Sequence, residues 1–204
     1  MITTRSYYKG DIQIANANDT APTSNLLGNA KLLPLDIARY EREVLLKCFG
    51  VSLYNAFKAQ FDVNPTTGQW TLKSGADAKW EELLYGKEYT YNGKDCIWRG
   101  LVYSDVSETP DTSLLAYYVY SKFIEQDEIN HTGVGFAKDQ AKNATIQLGR
   151  SKWAYAYNRF VDLVQGCGVE KGLYDFIRES NSIAEDTYPE WKGETFNYVN
   201  RFGL

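Results

Sequence analysis

The sequence predicts a mainly α-helical fold: a small helical bundle with an inserted β-hairpin and extended N- and C-terminal arms. Apolar residues recur at helical spacing in several segments between residues 34 and 180. One strong hairpin signal, Asn92-Gly93, lies inside this region. Residues 1–31 are polar and mixed, and no helical stripe runs through 183–204. We therefore divide the chain into an N-terminal arm (1–31), a helical domain (32–182) and a C-terminal arm (183–204), with the hairpin at 87–98.

The first helical segment is predicted to begin at Pro34, because the fixed φ of proline suits a first helical turn. Gly50 is expected to break this helix. A second helix follows, so the pattern predicts either a helical hairpin or a kinked pair. After a turn cluster at 64–68, Ser74 and Asp77 resemble a capping box before a short helix.

Three further helices are predicted in the second half of the chain. Residues 114–120 are apolar or aromatic on all sides, which is typical of a central helix that is covered by its neighbours. The longest helix is expected over 143–165, and the last over 170–180. The long helix has an inward stripe of Ile146, Trp153, Tyr157, Phe160, Val161 and Val164.

The hairpin signal also fixes a register. Both central residues of a type I′ turn need positive φ, which Asn92 and Gly93 tolerate. A two-residue loop then places four residues on one face of the ribbon: Tyr89, Tyr91, Cys96 and Trp98. An isolated hairpin is marginal in water. We expect this aromatic face to pack on the helices and the Asn92-Gly93 turn to project outward.

Composition narrows the class of protein. The chain of 204 residues carries 16 Tyr, 9 Phe and 5 Trp, and such a content of Tyr and Trp favours protein interfaces. The net charge of −4 and the absence of a basic run disfavour a nucleic-acid binder. No apolar run approaches the roughly 20 residues that span a bilayer, and no signal peptide is evident. Cys48, Cys96 and Cys167 are expected to be reduced thiols.

No catalytic pattern emerges from the residues. His131 is the only histidine, and no G-x-S-x-G stands near it. Gly133 and Gly135 lack the lysine and the third glycine of phosphate-binding loops. Glu125 and Glu128 lie at one predicted helix end, where two carboxylates do not easily face each other. We expect no enzyme, no cofactor and no metal site. The alternative left open is a small hydrolase that uses Glu125 or Glu128 with His131.

The order of aromatic and glycine positions resembles a family of head–tail connector proteins of tailed phages and prophages of gut bacteria, crAss-like phages among them. The resemblance covers about Pro34 to the C-terminus and consists of these residues: Trp80-x-x-Leu83-Leu84-x-Gly86-x-x-Tyr89, Asn92-Gly93, Trp98-x-Gly100-Leu101, Leu115–Tyr120, Thr132–Gly135, Tyr188-Pro189-x-Trp191 and Asn200-x-Phe202-Gly203-Leu204.

The resemblance implies an adaptor ring below the portal, most often of twelve copies, that continues the DNA channel into the tail. It implies a virion protein that is made in the bacterial cytoplasm. Its partners would be itself, the portal and further neck or tail proteins, while DNA passes without sequence-specific binding and no membrane is involved. The family has no catalytic residues to carry over. A stopper or tail-terminator subunit of the same virion is a further alternative.

The interface candidates lie on the hairpin tip and the C-terminal arm. The arm could lie on its own domain, on a neighbouring subunit or on the adjoining portal or tail protein, and its irregular, aromatic sequence favours a partner. The candidates are Tyr91, Asn92, Gly93, Tyr188, Trp191, Phe196, Tyr198 and Phe202.

Overall fold

A computed structural model gives the structure of the chain. It describes residues 1–14, 29–105, 109–127, 130–132, 135–137, 149–166, 170–184, 187–189 and 191–200. Within these ranges the five α-helices are α1 (Asn29–Lys58), α2 (Ala78–Tyr85), α3 (Leu114–Asp127), α4 (Gly149–Gln165) and α5 (Leu173–Ile183). The strands are β1 (Phe61–Val63), β2 (Trp70–Leu72), β3 (Lys87–Tyr91), β4 (Lys94–Trp98), β5 (Val102–Asp105), β6 (Thr109–Ser113), β7 (Asn130–Thr132) and β8 (Gly135–Ala137).

The predicted fold class holds in part, because the helices and the inserted hairpin are present but further strands accompany them. The described strands pair in sequence order into four two-stranded antiparallel sheets, β1–β2, β3–β4, β5–β6 and β7–β8. The sequence predicted a mainly α fold with one hairpin, whereas the structure is a mixture of helices and small β-hairpins. The segment from Thr109 was expected to open a helix, but it forms β6, and α3 begins only at Leu114.

The helices form the centre of the core. Helix α3 packs against both α1 and α4, and α4 also packs against α5. Burial of α3 is nearly complete from Leu114 to Ser121, as its apolar sequence predicted. On α4, Phe160, Val161 and Val164 are buried, whereas Trp153 and Tyr157 are only half-buried and stack on each other. None of the described helices is long and apolar enough to cross a lipid bilayer.

The N-terminal segment is part of this core, which corrects the prediction of an extended arm over its first 14 residues. Two short 3-10 helices, Arg5–Tyr7 and Gly10–Ile12, follow the start of the chain. The buried carboxylate of Glu41 on α1 accepts hydrogen bonds from the main-chain N–H groups of Ile2 and Thr3, both at 2.7 Å. Burial raises the pKa of Glu41, and the bonds from Thr3 oppose this effect. The remaining part of the predicted arm, 15–28, lies outside the described residues.

Helix α1 begins at Asn29, five positions before the predicted start, and bends at Gly50. Gly50 has φ of 76° and ψ of 170°, a conformation that glycine adopts almost alone. The kinked pair is therefore the form that the chain takes. Beyond the kink, Leu53, Tyr54 and Phe57 are buried. Because these side chains are fixed in the core, the bend is a built-in feature of the domain.

Candidate interaction site

The β3–β4 hairpin is anchored by its aromatic face. Trp98 stacks on Phe176 of α5, with ring centroids 5.5 Å apart and an angle of 16° between the planes. Tyr89 meets the same ring edge-on at 5.7 Å. The indole Nε1 of Trp98 also donates a hydrogen bond of 3.2 Å to the carbonyl of Leu83 on α2. The hairpin is thus held on two helices, and the register predicted from Asn92-Gly93 is confirmed.

Polar contacts add to this attachment. The hydroxyl of Tyr89 donates to Glu179 of α5 at 2.6 Å, and the ammonium of Lys171 pairs with the same carboxylate at 2.9 Å. Burial, with the bond to Glu179, raises the pKa of Tyr89. The main-chain N–H of Lys171 donates to the carbonyl of Ile97 at 2.9 Å, so strand β4 is also tied to the segment that leads into α5.

The far end of the hairpin extends into solvent. Asn92 and Gly93 have φ of 51° and 73°, as the type I′ turn requires, and both are exposed. Tyr91 is half-buried. The outer face and the tip expose hydrogen-bonding groups and charges of both signs: Glu88, Thr90, Asn92, Lys94 and Asp95. A rigid base with an exposed polar tip is suited to contact another macromolecule.

The C-terminal arm crosses the kink in α1. In an uninterrupted helix, the carbonyls of Lys47 and Phe49 would accept bonds from the N–H groups four residues later. At the kink, the main-chain N–H of Glu194 donates to Lys47 at 2.8 Å and that of Lys192 donates to Phe49 at 3.1 Å. The indole of Trp191 donates to the carbonyl between them, that of Cys48, at 2.8 Å. The arm therefore caps the first half of α1.

The arm then runs antiparallel to α4. The side-chain amide of Asn158 both donates to the carbonyl of Val199 at 2.8 Å and accepts from its N–H at 2.9 Å. Further along α4, Asp162 accepts a bond of 2.8 Å from the hydroxyl of Tyr198, and Gln165 donates to the carbonyl of Phe196. The three α4 residues are spaced four and three apart and so share one face of the helix. We call the surface made by the kink carbonyls and this face of α4 the arm groove.

Sequence reasoning missed the arm groove. The pattern in α4 predicted an inward apolar stripe, and the polar residues beside it were not part of that prediction: Asn158, Asp162 and Gln165. Their helical spacing is the signal that would have indicated a second, polar face of α4 that binds another segment of the chain. Glu41 and Glu179 were also missed, because a single glutamate in a sequence does not show which distant group it will bind.

The arm residues proposed as interface candidates need correction. In the single chain, Tyr188 and Phe196 are buried in the chain's own core, with 1% and 6% of their surface exposed. The hydroxyl of Tyr188 donates to the carbonyl of Lys79 at 2.7 Å, and its backbone is bonded to Asn181. The expectation that the arm leaves its own domain is therefore wrong for the single chain. Trp191 is half-buried, Tyr198 is exposed, and Phe202 lies outside the described residues.

The residues of the hydrolase alternative are not brought together within the part of the chain that the structure describes. Glu125 is exposed and pairs with Lys122 at 2.8 Å. His131 lies in β7, where its backbone pairs with Phe136 of β8, and Glu128 lies outside the described residues. The hydrolase alternative therefore gains no support from the geometry.

The sequence predicted reduced cysteine thiols and no metal site. Cys48 and Cys96 are free thiols and are buried, and burial raises the pKa of Cys48. Cys167 lies outside the described residues. Within the described ranges, no three His, Cys, Asp or Glu side chains cluster as metal ligands would.

A cavity of about 380 Å³ lies at the base of the hairpin, between Trp98, Tyr103 and α4. The basic groups on its wall have acidic partners: Arg99 pairs with Glu170, Arg159 with Asp162, and Lys171 with Glu179. Pairing lowers the attraction of this wall for an anion, so the hairpin tip and the arm groove are the stronger candidates.

Comparison with known proteins gives no match of any kind. No family model matches the chain, and no curated protein and no solved structure matches it.

Proposed function

We propose that this chain is a structural subunit of a head–tail connector ring in the neck of a tailed phage, where the ring joins the portal to the tail and continues the DNA channel. The resemblance in aromatic and glycine positions supports this assignment. The observation that carries it is the β3–β4 hairpin, whose base is locked on α5 by Trp98 and Tyr89 and whose tip is exposed.

A fixed, projecting hairpin favours assembly over catalysis. Rigid elements lose little conformational entropy on association, so more of the contact energy remains as affinity. In this proposal the partners are further copies of the chain, in a ring of twelve, together with the portal and other neck or tail proteins. DNA passes through the channel without sequence-specific contacts. The acidic net charge of −4 suits this role, because fixed cations would hold the phosphates of passing DNA.

The proposal is tested by the mass of the assembled protein. Native mass spectrometry and negative-stain microscopy of the concentrated chain should reveal a closed ring. If the chain stays a monomer under all conditions, including in the presence of portal particles, the proposal is refuted. If a ring forms, labelling the chain in a phage particle distinguishes the first ring below the portal from a stopper or tail-terminator position.

A pair of matched variants tests the hairpin tip. Thr90 is exposed beside the tip and lies opposite Asp95, so Thr90→Arg keeps the hairpin through a cross-strand ion pair. Thr66→Arg makes the same change in the exposed loop between β1 and β2. We expect Thr90→Arg to raise the concentration needed for assembly at least about tenfold, which is roughly 1.4 kcal/mol. Thr66→Arg should leave it unchanged, and equal effects would remove the tip from the interface.

A further inference from the structure

The arm groove is a preformed receptor for an extended chain. Its floor consists of the kink in α1, which the buried Leu53 and Phe57 hold in place, and one face of α4, which Phe160 anchors in the core. None of these supports belongs to residues 191–200. The floor of the groove is therefore built from residues outside the arm.

Most of the polar contacts in the groove are hydrogen bonds to the main chain of the segment that occupies it. The carbonyls of Lys47 and Phe49 accept from backbone N–H groups, and Asn158 binds both backbone groups of one residue. Such contacts give affinity to the backbone of an extended segment, as in strand addition to a sheet edge. The segment needs glycine at the position of Gly193, because a Cβ there would lie 2.6 Å from the carbonyl oxygen of Cys48. An empty groove would leave the kink carbonyls without these donors, so occupation is favoured.

Two aromatic side chains give the groove its selectivity. Trp191 packs edge-on against Tyr174 of α5 at 5.0 Å, and Phe196 packs edge-on against Phe160 at 4.9 Å. An occupant needs large aromatic residues five positions apart in an extended segment. The C-terminal arm of this chain has that pattern, and so does the arm of every other copy.

The attachment of the arm permits exchange between copies. Tyr188 is fixed in its own core by Asn181 and Lys79. Pro189 is exposed, and only Glu190 separates it from Trp191 in the sequence. A change of direction after Tyr188 would deliver the arm to another subunit without disturbing the anchor. The arm contacts would be the same in either groove, so local concentration and hinge geometry decide which one is filled.

We propose that in the assembled ring the arm groove of each subunit is occupied by residues Trp191–Asn200 of the adjacent copy. This inference rests on the proposed function, because it requires a ring. The donor and acceptor surfaces differ, so the contact is head-to-tail and each subunit links to two neighbours. Exchange keeps every arm contact of the monomer and joins the subunits through their own backbones.

Cross-linking distinguishes the two arrangements. Asp162→Cys and Tyr198→Cys place thiols on the groove and the arm at a contact of 2.8 Å between the original side chains. The background carries Cys167→Ser, while Cys48 and Cys96 are buried. The full chain with both new thiols is concentrated, treated with a short bismaleimide and run on a denaturing gel. Single-thiol variants, alone and mixed, serve as controls.

Exchange predicts a ladder of covalent oligomers for the double variant, covalent dimers for the mixed single variants, and monomers for each single variant alone. Native mass spectrometry of the same samples reports the ring independently. A ring whose double variant yields only internally linked monomers would overturn the exchange and leave the connector proposal standing. A chain that never assembles overturns both.

Discussion

Phe196 is the residue on which docking of the C-terminal arm depends most. Its side chain is 6% exposed, and its ring lies edge-on to Phe160 with centroids 4.9 Å apart. Tyr174 contributes a second ring at 6.4 Å. Replacing Phe196 by alanine removes the aromatic ring from this site while leaving the backbone free to make its bond with Gln165.

The size of the effect follows from burial. A large aromatic residue that is removed from a well-packed core costs about 3–5 kcal/mol, which combines the lost transfer energy and the cavity left behind. A domain of this length shifts its melting temperature by roughly 2–4 °C per kcal/mol. Phe196→Ala should therefore lower the melting temperature by about 6–20 °C.

The assays are thermal unfolding and urea unfolding of the monomer at low protein concentration, both followed by circular dichroism. Tyr198→Phe is the matched control in the same arm, because it removes the exposed hydrogen bond to Asp162 while keeping the ring, and it should cost less than about 1 kcal/mol. The dependence of the unfolding free energy on urea should be similar in both variants, since the same surface is exposed on unfolding.

A loss of less than about 1 kcal/mol for Phe196→Ala would refute this reasoning. It would mean that the ring is not buried in the monomer and that the arm does not rest in its own groove. An arm that changes partner on assembly predicts two results together. Phe196→Ala lowers the unfolding free energy of the monomer by about 3–5 kcal/mol, and the cross-linking experiment yields covalent oligomers.

Two further predictions test the kink and the buried phenols. Gly50→Ala should lower the unfolding free energy by about 2–5 kcal/mol, because the new Cβ would lie 2.9 Å from the carbonyl oxygen of Lys192 at a φ that alanine avoids. Gly68→Ala, with φ of 69° and no atom within 4 Å, should cost about 1–2 kcal/mol, and equal losses would mean that the arm does not cross the kink. Stability should also fall as the pH rises above about 10, because the unfolded chain releases phenol protons that the folded chain retains. Burial raises the pKa of these phenols in the folded chain: Tyr89, Tyr118, Tyr174 and Tyr188. Urea unfolding between about pH 9 and 11 measures this slope, Tyr89→Phe should flatten it, and a stability that does not change over this range would contradict the assignment.

Local chemistry made the β3–β4 hairpin predictable. The need for positive φ at Asn92 and Gly93 fixes the turn, and a two-residue loop then fixes which side chains share a face. Trp98 and Cys96 consequently lie on the buried side, as expected. The same reasoning identified α3 as the central helix and Gly50 as a break. Each of these inferences uses residues that are neighbours in the sequence.

The remaining features depend on contacts between distant residues. The turn cluster at 64–68 connects β1 and β2, but strands of three residues carry too little pattern to be predicted, and β5–β6 and β7–β8 have no turn signal as specific as Asn92-Gly93. Nothing near Glu41 shows that it will bind the backbone of Thr3, 38 positions away. The sequence does not show that the arm will dock on its own domain, because the acceptors that hold it there, the kink carbonyls, are main-chain groups. Main-chain acceptors exist at every position and become available only where the fold interrupts a helix.

Helix α5 links the two candidate interaction surfaces. Tyr174 contacts Trp191 of the arm, whereas Phe176 contacts Trp98 of the hairpin. Residues two apart on a helix point in nearly opposite directions, so the arm and the hairpin pack on different sides of α5. A closed ring requires two different complementary surfaces on every subunit, since a single self-complementary surface stops at a dimer. Helix α5 holds the hairpin on one side and the arm on the other, so a single buried turn of helix supports two different surfaces on one subunit.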